Sequence, residues 1–87
     1  MQRFREIVEA DEFAEQLSLI ESDAKRADEF LDGLKWILSR DATKGVLLAG
    51  NVWMFYTSQF LSVPLVIYYS FDLTKVYLLW IEIDTPF

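Results

Sequence analysis

Residues 64–83 read PLVIYYSFDLTKVYLLWIEI, two apolar runs separated by a short polar connection. Pro64 to Phe71 and Lys75 to Ile83 are rich in the β-branched and aromatic residues that favour strands. Proline is acceptable at the first position of a strand. Because only Asp72-Leu73-Thr74 joins the two runs, the sequence predicts an antiparallel hairpin with strands at 64–71 and 75–83.

The side chains of the last strand fall into two alternating sets, since neighbouring residues of a strand point to opposite faces. The first set is Tyr77, Leu79, Ile81 and Ile83, and the second is Val76, Leu78, Trp80 and Glu82. Both sets are apolar over most of the strand, which predicts that the strand is central or covered on both faces. We place Leu79 and Ile81 in the core.

The residues before this hairpin predict two further strands and two helices. Val52 to Thr57 (VWMFYT) is a strand candidate that follows the turn pair Gly50-Asn51, and Arg3 to Glu9 reads as a short strand. Between them, apolar residues at three- and four-residue steps predict helices over 11–21 and 23–40. Asp11 is the expected N-cap of the first helix and Ser22 or Asp23 that of the second. The helical residues assigned to the core are Phe13, Leu17, Leu31, Leu34 and Leu38.

The order β-α-α-β-β-β predicts an α+β fold, in which a helical hairpin packs on one face of a small antiparallel sheet. We expect residues 1–87 to form a single domain, because a chain of this length holds one core. The hydrophobic fraction of 53% excludes intrinsic disorder.

Composition excludes several kinds of chemistry. The chain has no cysteine, which excludes disulfides and thiol catalysis. It has no histidine, which excludes Ser-His-Asp triads and the commonest metal ligand. Its three glycines form no phosphate loop and its acids do not follow a calcium-loop spacing. We therefore expect no metal or nucleotide cofactor. The acidic balance, a net charge of -6, is unlike that of proteins that bind nucleic acid by neutralising phosphates.

No charged residue lies between Lys44 and Asp72, so this stretch has to be considered as a membrane span. Polar residues and a proline interrupt it, and strand-forming residues alternate with them. The N-terminal sequence MQRFR lacks the apolar segment of a signal peptide. We expect a soluble, cytoplasmic protein with no membrane partner.

Two groups of aromatic residues are candidate functional residues. Trp53, Tyr56, Tyr68 and Trp80 are the candidate partner-binding residues, because exposed aromatic side chains on a small domain mark an interface. Tyr68 and Tyr69 are adjacent in a strand and point to opposite faces, so one belongs to the core. The outward hydroxyl either acts as a general acid, holds a ligand, or belongs to a protein interface.

The short charged strand, the close helical hairpin and the pair "PLVIYYSFD" and "KVYLLWIEI" together resemble the RelE/ParE superfamily of type II toxin–antitoxin toxins. The resemblance covers nearly the whole chain. It implies a helical hairpin on one face of a twisted antiparallel sheet. RelE-like members cut ribosome-bound mRNA by promoting attack of a ribose 2′-OH on the adjacent phosphate, with Lys and Arg holding the phosphate and a tyrosine nearby. ParE-like members inhibit DNA gyrase.

The basic residues of the RelE-like pattern have few counterparts in this chain. Leu65 or Val66 stands where those toxins place an arginine, and residues 82–87 include no basic residue. We expect no counterpart in residues 1–87 of the C-terminal helix that bears a tyrosine in the family. The residues left as catalytic candidates are Tyr68, Tyr69, Lys44 and Lys75.

Two functions follow as hypotheses. In the first, the chain is a RelE/ParE-like toxin component that inhibits translation or gyrase and is neutralised by a cognate antitoxin; an active enzyme would be an mRNA endoribonuclease acting on ribosomes. In the second, it is a catalytically silent interaction module of the same fold, acting as a partner-binding domain or as a homodimer joined through the Trp53/Trp80 side of the sheet.

Overall fold

Residues 4–57 and 63–84, which the computed structural model describes, form two helices and one five-stranded sheet, an α+β fold as expected. The elements in chain order are β1 (Glu6–Glu9), α1 (Asp11–Ile20), α2 (Ala24–Arg40), a 3-10 turn (Ala42–Lys44), β2 (Val46–Ala49), β3 (Val52–Thr57), β4 (Leu65–Phe71) and β5 (Lys75–Ile83). Arg3, where the sequence begins the first strand, lies outside the described residues.

The strands lie in the order β1-β5-β4-β3-β2. The β4–β5 hairpin is antiparallel, as the sequence predicts, and so are the β3–β4 and β2–β3 pairs. The expectation of a wholly antiparallel sheet is wrong, because β1 pairs with β5 in parallel. The sheet is therefore mixed. It also contains β2, a strand that was not predicted, which Gly50-Asn51 joins to β3 in a tight turn with Gly50 at a φ of 56°.

Asp72 fixes the turn between β4 and β5. Its Oδ1 accepts hydrogen bonds from the backbone N–H groups of Thr74 and Lys75, both at 2.8 Å, and from the Thr74 hydroxyl at 3.2 Å. These bonds lower the pKa of the Asp72 carboxyl, because they favour the ionised form. The register that pairs Phe71 with Val76 starts at this turn.

The two helices begin in different ways. Asp23 caps α2, since its Oδ1 accepts from the backbone N–H groups of Lys25 at 3.0 Å and Arg26 at 3.4 Å. The expected cap at Asp11 is wrong: Asp11 is the first helical residue, and Ala10 precedes it without a side-chain bond. In that position the Asp11 carboxylate lies in the first turn, near the positive end of the helix dipole.

The core lies between the helices and the sheet. Phe13, Leu17, Leu34, Leu38 and Ile81 are buried, as predicted. Leu31 is half-buried and packs against these residues. The rest of the buried cluster was not assigned from the sequence: Phe30, Ala42, Leu65, Ile67, Tyr69, Val76 and Leu78.

The predicted faces of β5 are wrong beyond its middle. Leu78 lies opposite Tyr69 and Trp80 lies opposite Tyr68, so Leu79 has no partner on β4. This extra residue is a β-bulge, which shifts the alternation by one position. Val76, Leu78 and Ile81 are consequently all buried, and Leu79 is only half-buried.

In the described ranges, 4–57 and 63–84, no helix has both the length and the apolar character needed to cross a membrane. The described part of the uncharged stretch forms β2, β3 and β4 instead.

Candidate binding surface

The sheet face opposite the helices, called here the outer face, carries a continuous apolar row. Val46, Met54, Tyr68 and Trp80 lie opposite one another across β2, β3, β4 and β5. Tyr68 alternates along β4 with the buried residues Ile67 and Tyr69, so it points away from the core. The residues opposite it in the other strands lie on the same side of the sheet. These four residues are the outer row.

A second row lies beside the outer row. Tyr56 of β3 is opposite Val66 of β4, and Val66 is opposite Glu82 of β5. Tyr56 remains 53% exposed, and Trp80 of the outer row remains 37% exposed. Val66 itself is buried between its neighbours. A face on which exposed aromatic side chains lie beside apolar ones is typical of an interaction surface.

Tyr68 is the tyrosine that points outward. Its hydroxyl donates a hydrogen bond to Oε1 of Glu82 at 2.7 Å. That bond, then partial burial and the negative charges of Glu82 and Asp84, raise the pKa of Tyr68 above its ordinary value. The phenol therefore stays protonated at neutral pH, and the two carboxylates that act on it, Glu82 and Asp84, disfavour an anion beside it.

Tyr69 points into the core, as expected for one of the two tyrosines. Its hydroxyl donates to the Ala42 carbonyl oxygen at 2.7 Å and accepts from the Gly45 N–H at 3.1 Å. Burial raises its pKa. Both bonds hold the 3-10 turn and the entry to β2 against β4, so the role of this side chain is structural.

Trp53 does not lie with the other candidate binding residues. In β3 it alternates with Met54 of the outer row and faces the helices, where it packs against the core. Its ring centroid is 5.3 Å from that of Phe71 and 6.5 Å from that of Tyr69. The proposed Trp53/Trp80 side of the sheet is therefore wrong, because the two tryptophans lie on opposite faces.

The two lysine candidates lie toward opposite ends of the sheet. Lys75 begins β5 opposite Glu6 of β1, and Trp80, which lies beside Tyr68, is five residues further along, roughly 16 Å at the rise of a strand. Lys44 lies near the other end of the sheet, where it lines an open cleft of about 450 Å³ with Tyr56 and Asp84. The four candidates do not form one site.

A cation–aromatic stack on α2 was missed in the sequence analysis. The Arg40 guanidinium lies 4.1 Å from the ring centre of Trp36 and 4.3 Å from that of Phe4, and it donates to the Trp36 carbonyl oxygen at 3.1 Å. The spacing of Trp36 and Arg40, four residues apart on a helix, is the sequence signal that could have indicated it.

Across the described residues, no three acidic side chains are grouped so that they could hold a metal ion. No family model matches the chain, and no curated protein matches it.

Proposed function

We propose that this chain is a protein-interaction module of RelE/ParE-like architecture, that it binds its partner through the outer face, and that it does not cleave RNA. The outer row carries the proposal, because Val46, Met54, Tyr68 and Trp80 form an apolar band across four strands, and both helices of the described residues pack on the other side of the sheet. Interface cores are enriched in tyrosine, tryptophan and methionine.

The chemistry of RNA cleavage argues against an enzyme. Attack of a 2′-OH on a phosphate needs a group that moves the proton and a cation that stabilises the charge that develops. Tyr68 has a raised pKa and lies beside Glu82. The charges that act on this phenol are those of Glu82 and Asp84, and Lys75 lies at the far end of β5, opposite Glu6.

The charges around the outer row indicate the kind of partner. Glu82 accepts the Tyr68 hydrogen bond, and the negative charge of Asp84 acts on the same phenol. A partner segment with apolar side chains for the row and lysines or arginines for these carboxylates fits this surface best. We therefore propose a basic amphipathic segment of another protein as the occupant.

A RelE/ParE-like toxin component is the second candidate, which the order of elements supports: one short strand, a helical hairpin, then the remaining strands. In this proposal the occupant of the outer face is the cognate antitoxin, and the target is the ribosome or gyrase.

Peptide binding tests the interaction surface. The probe is a synthetic helical peptide with leucines on one face and lysines on the other, compared with the same peptide carrying glutamates. We expect the lysine peptide alone to shift the amide resonances of the outer row. Trp80→Glu should abolish this binding, and Leu19→Glu, at an exposed position of α1, should preserve it. Shifts confined to another surface would refute the proposed face.

Expression of the chain alone, with toeprinting of mRNA on ribosomes, tests the absence of catalysis. We expect neither growth arrest nor cleavage. Codon-specific cuts that disappear in Tyr68→Phe would refute the silent module and identify the proton-transfer group. Growth arrest without cuts would instead favour inhibition of gyrase.

A further inference from the structure

β2 is the edge strand at the end of the sheet furthest from β1. Its side chains are apolar and exposed: Val46 is 58%, Leu47 52% and Leu48 51% accessible to solvent. An edge strand also presents a row of N–H and C=O groups to which another strand can hydrogen-bond. Among residues 4–57 and 63–84 no strand pairs with this edge, so its exposed apolar side chains and open backbone together favour pairing with a further strand.

The opposite edge of the sheet is protected against such pairing. β1 begins at Glu6 and ends at Glu9, and the Glu9 carboxylate lies 3.3 Å from Nζ of Lys35 on α2. Charged residues on an edge strand are a common means of preventing edge-to-edge association. β2 has no such residue, since the chain carries no charge between Lys44 and Asp72; its one irregularity is a bulge at Leu48 in the pairing with β3.

We infer that β2 pairs with β2 of a second copy of this chain, in antiparallel orientation about a two-fold axis at Leu47. The two five-stranded sheets then form one sheet across the dimer. A two-fold axis perpendicular to a sheet places a residue opposite its own copy, so Leu47 lies opposite the partner's Leu47. Lys44 then lies toward the uncharged turn at the partner's Gly50, and no like charges meet.

The distribution of charge favours a second copy over a charged peptide as the occupant. Eleven of the fourteen acidic residues lie in residues 1–44, the other three in 72–84, and none in 45–71. Two copies with a net charge of -6 each repel one another least where their uncharged segments meet, because salt screens charges that lie more than about 8 Å apart. A charged peptide would find no opposite charge on β2 itself.

This interface lies along the edge of the sheet and shares only Val46 with the outer row, and it is small. Strands of four residues bury less than the roughly 800 Å² per partner of a standard interface, so we expect weak, reversible association. The same two-fold axis turns both outer faces toward the same side of the dimer. A partner with two binding segments would therefore reach both faces at once.

Sedimentation velocity over about 10 μM to 1 mM, a range suited to a small interface, tests the dimer. We expect the wild-type chain to shift from monomer to dimer over this range. Leu47→Lys, which places two lysines opposite each other at the axis, should remain monomeric. The matched control is Leu19→Lys on α1, 76% exposed, which should dimerise like the wild type. A wild-type chain that stays monomeric throughout, or a Leu47→Lys chain that dimerises normally, overturns the inference.

Cross-linking locates the axis, since the chain has no cysteine of its own. Residues directly opposite each other in an antiparallel pair are about 4.5–5.5 Å apart at Cα, within the range of a disulfide. Under mild oxidation Leu47→Cys should form a covalent dimer, and Leu19→Cys should not. Equal cross-linking of both variants overturns the proposed axis. The Trp80→Glu chain should still dimerise, and the Leu47→Lys chain should still bind the lysine peptide. The dimer and the partner-binding surface can therefore fail independently of each other.

Discussion

Removal of the Tyr69 hydroxyl, by Tyr69→Phe, would leave two backbone groups without their partner. The Ala42 carbonyl, in a residue only 1% exposed, loses its 2.7 Å bond, and the half-buried Gly45 N–H loses its 3.1 Å bond. An unpaired buried polar group costs about 1–3 kcal/mol. Allowing less for the Gly45 group, we expect a loss of about 2–4 kcal/mol in the free energy of unfolding.

The adjacent residue supplies a matched control. Tyr68→Phe removes a hydroxyl of the same kind, but its bond to Glu82 is exposed, so we expect a loss of about 0.5 kcal/mol or less. At roughly 4–8 °C per kcal/mol for a domain of this size, Tyr69→Phe should lower the Tm by at least about 8 °C and Tyr68→Phe by a few degrees at most.

Thermal and urea unfolding of the wild type and both variants, followed by circular dichroism, measure the difference. A larger loss in Tyr68→Phe would mean that the two faces of β4 are reversed. Equal losses would mean that the hydroxyl of Tyr69 does not hold the 3-10 turn.

The other predictions concern stability and its dependence on pH. Leu34→Ala should lower the free energy of unfolding by about 2–5 kcal/mol in a urea melt, because the side chain is fully buried. Trp80→Ala, on the outer face, should lower it less. The reverse order would show that the face assigned to solvent is the buried one. Gly45→Ala should destabilise the fold by about 1–3 kcal/mol, because the added Cβ would collide with the Met54 carbonyl oxygen; a neutral result in the same melt would contradict this close approach. The folded-state pKa of Asp72 lies below its ordinary value of 3.8, so its contribution to stability is complete above that pH and is lost as the pH falls through the folded pKa. Acid titration of the wild type and Asp72→Asn should show a shallower loss in the variant, and superimposable curves would refute the coupling.

The elements predicted correctly are those with local signals. The bounds of β5 were predicted to the residue, because Asp72-Leu73-Thr74 marks the turn between two strand-forming runs. The predicted helices, 11–21 and 23–40, agree with the observed ones within one residue at each end, since the apolar spacing of Phe13 and Leu17, and of Leu34 and Leu38, has a helical period.

The features that were missed depend on contacts between distant residues. The four residues of β2 carry no alternation that marks a strand, and this strand exists because β3 pairs with it. The parallel pairing of β1 joins residues 6–9 to residues 75–78, which are far apart in the sequence. The position of Trp53 follows from the register of β3 with β4, which places it beside Tyr69. A sequence gives the residues of a candidate surface but does not determine which face each one occupies.

The bulge at Leu79 also decides where a charge is located. Without this extra residue in the pairing, the alternation that buries Val76 and Leu78 would continue to positions 80 and 82, and the Glu82 carboxylate would enter the core. Moving an ionised carboxylate into an apolar interior without a partner is prohibitively costly. The one-residue shift keeps Glu82 in contact with water and within 2.7 Å of Tyr68, and it gives Ile81 the buried position instead. The extra residue Leu79 thus leaves the acidic side chain of β5 in solvent and places an apolar side chain in the core.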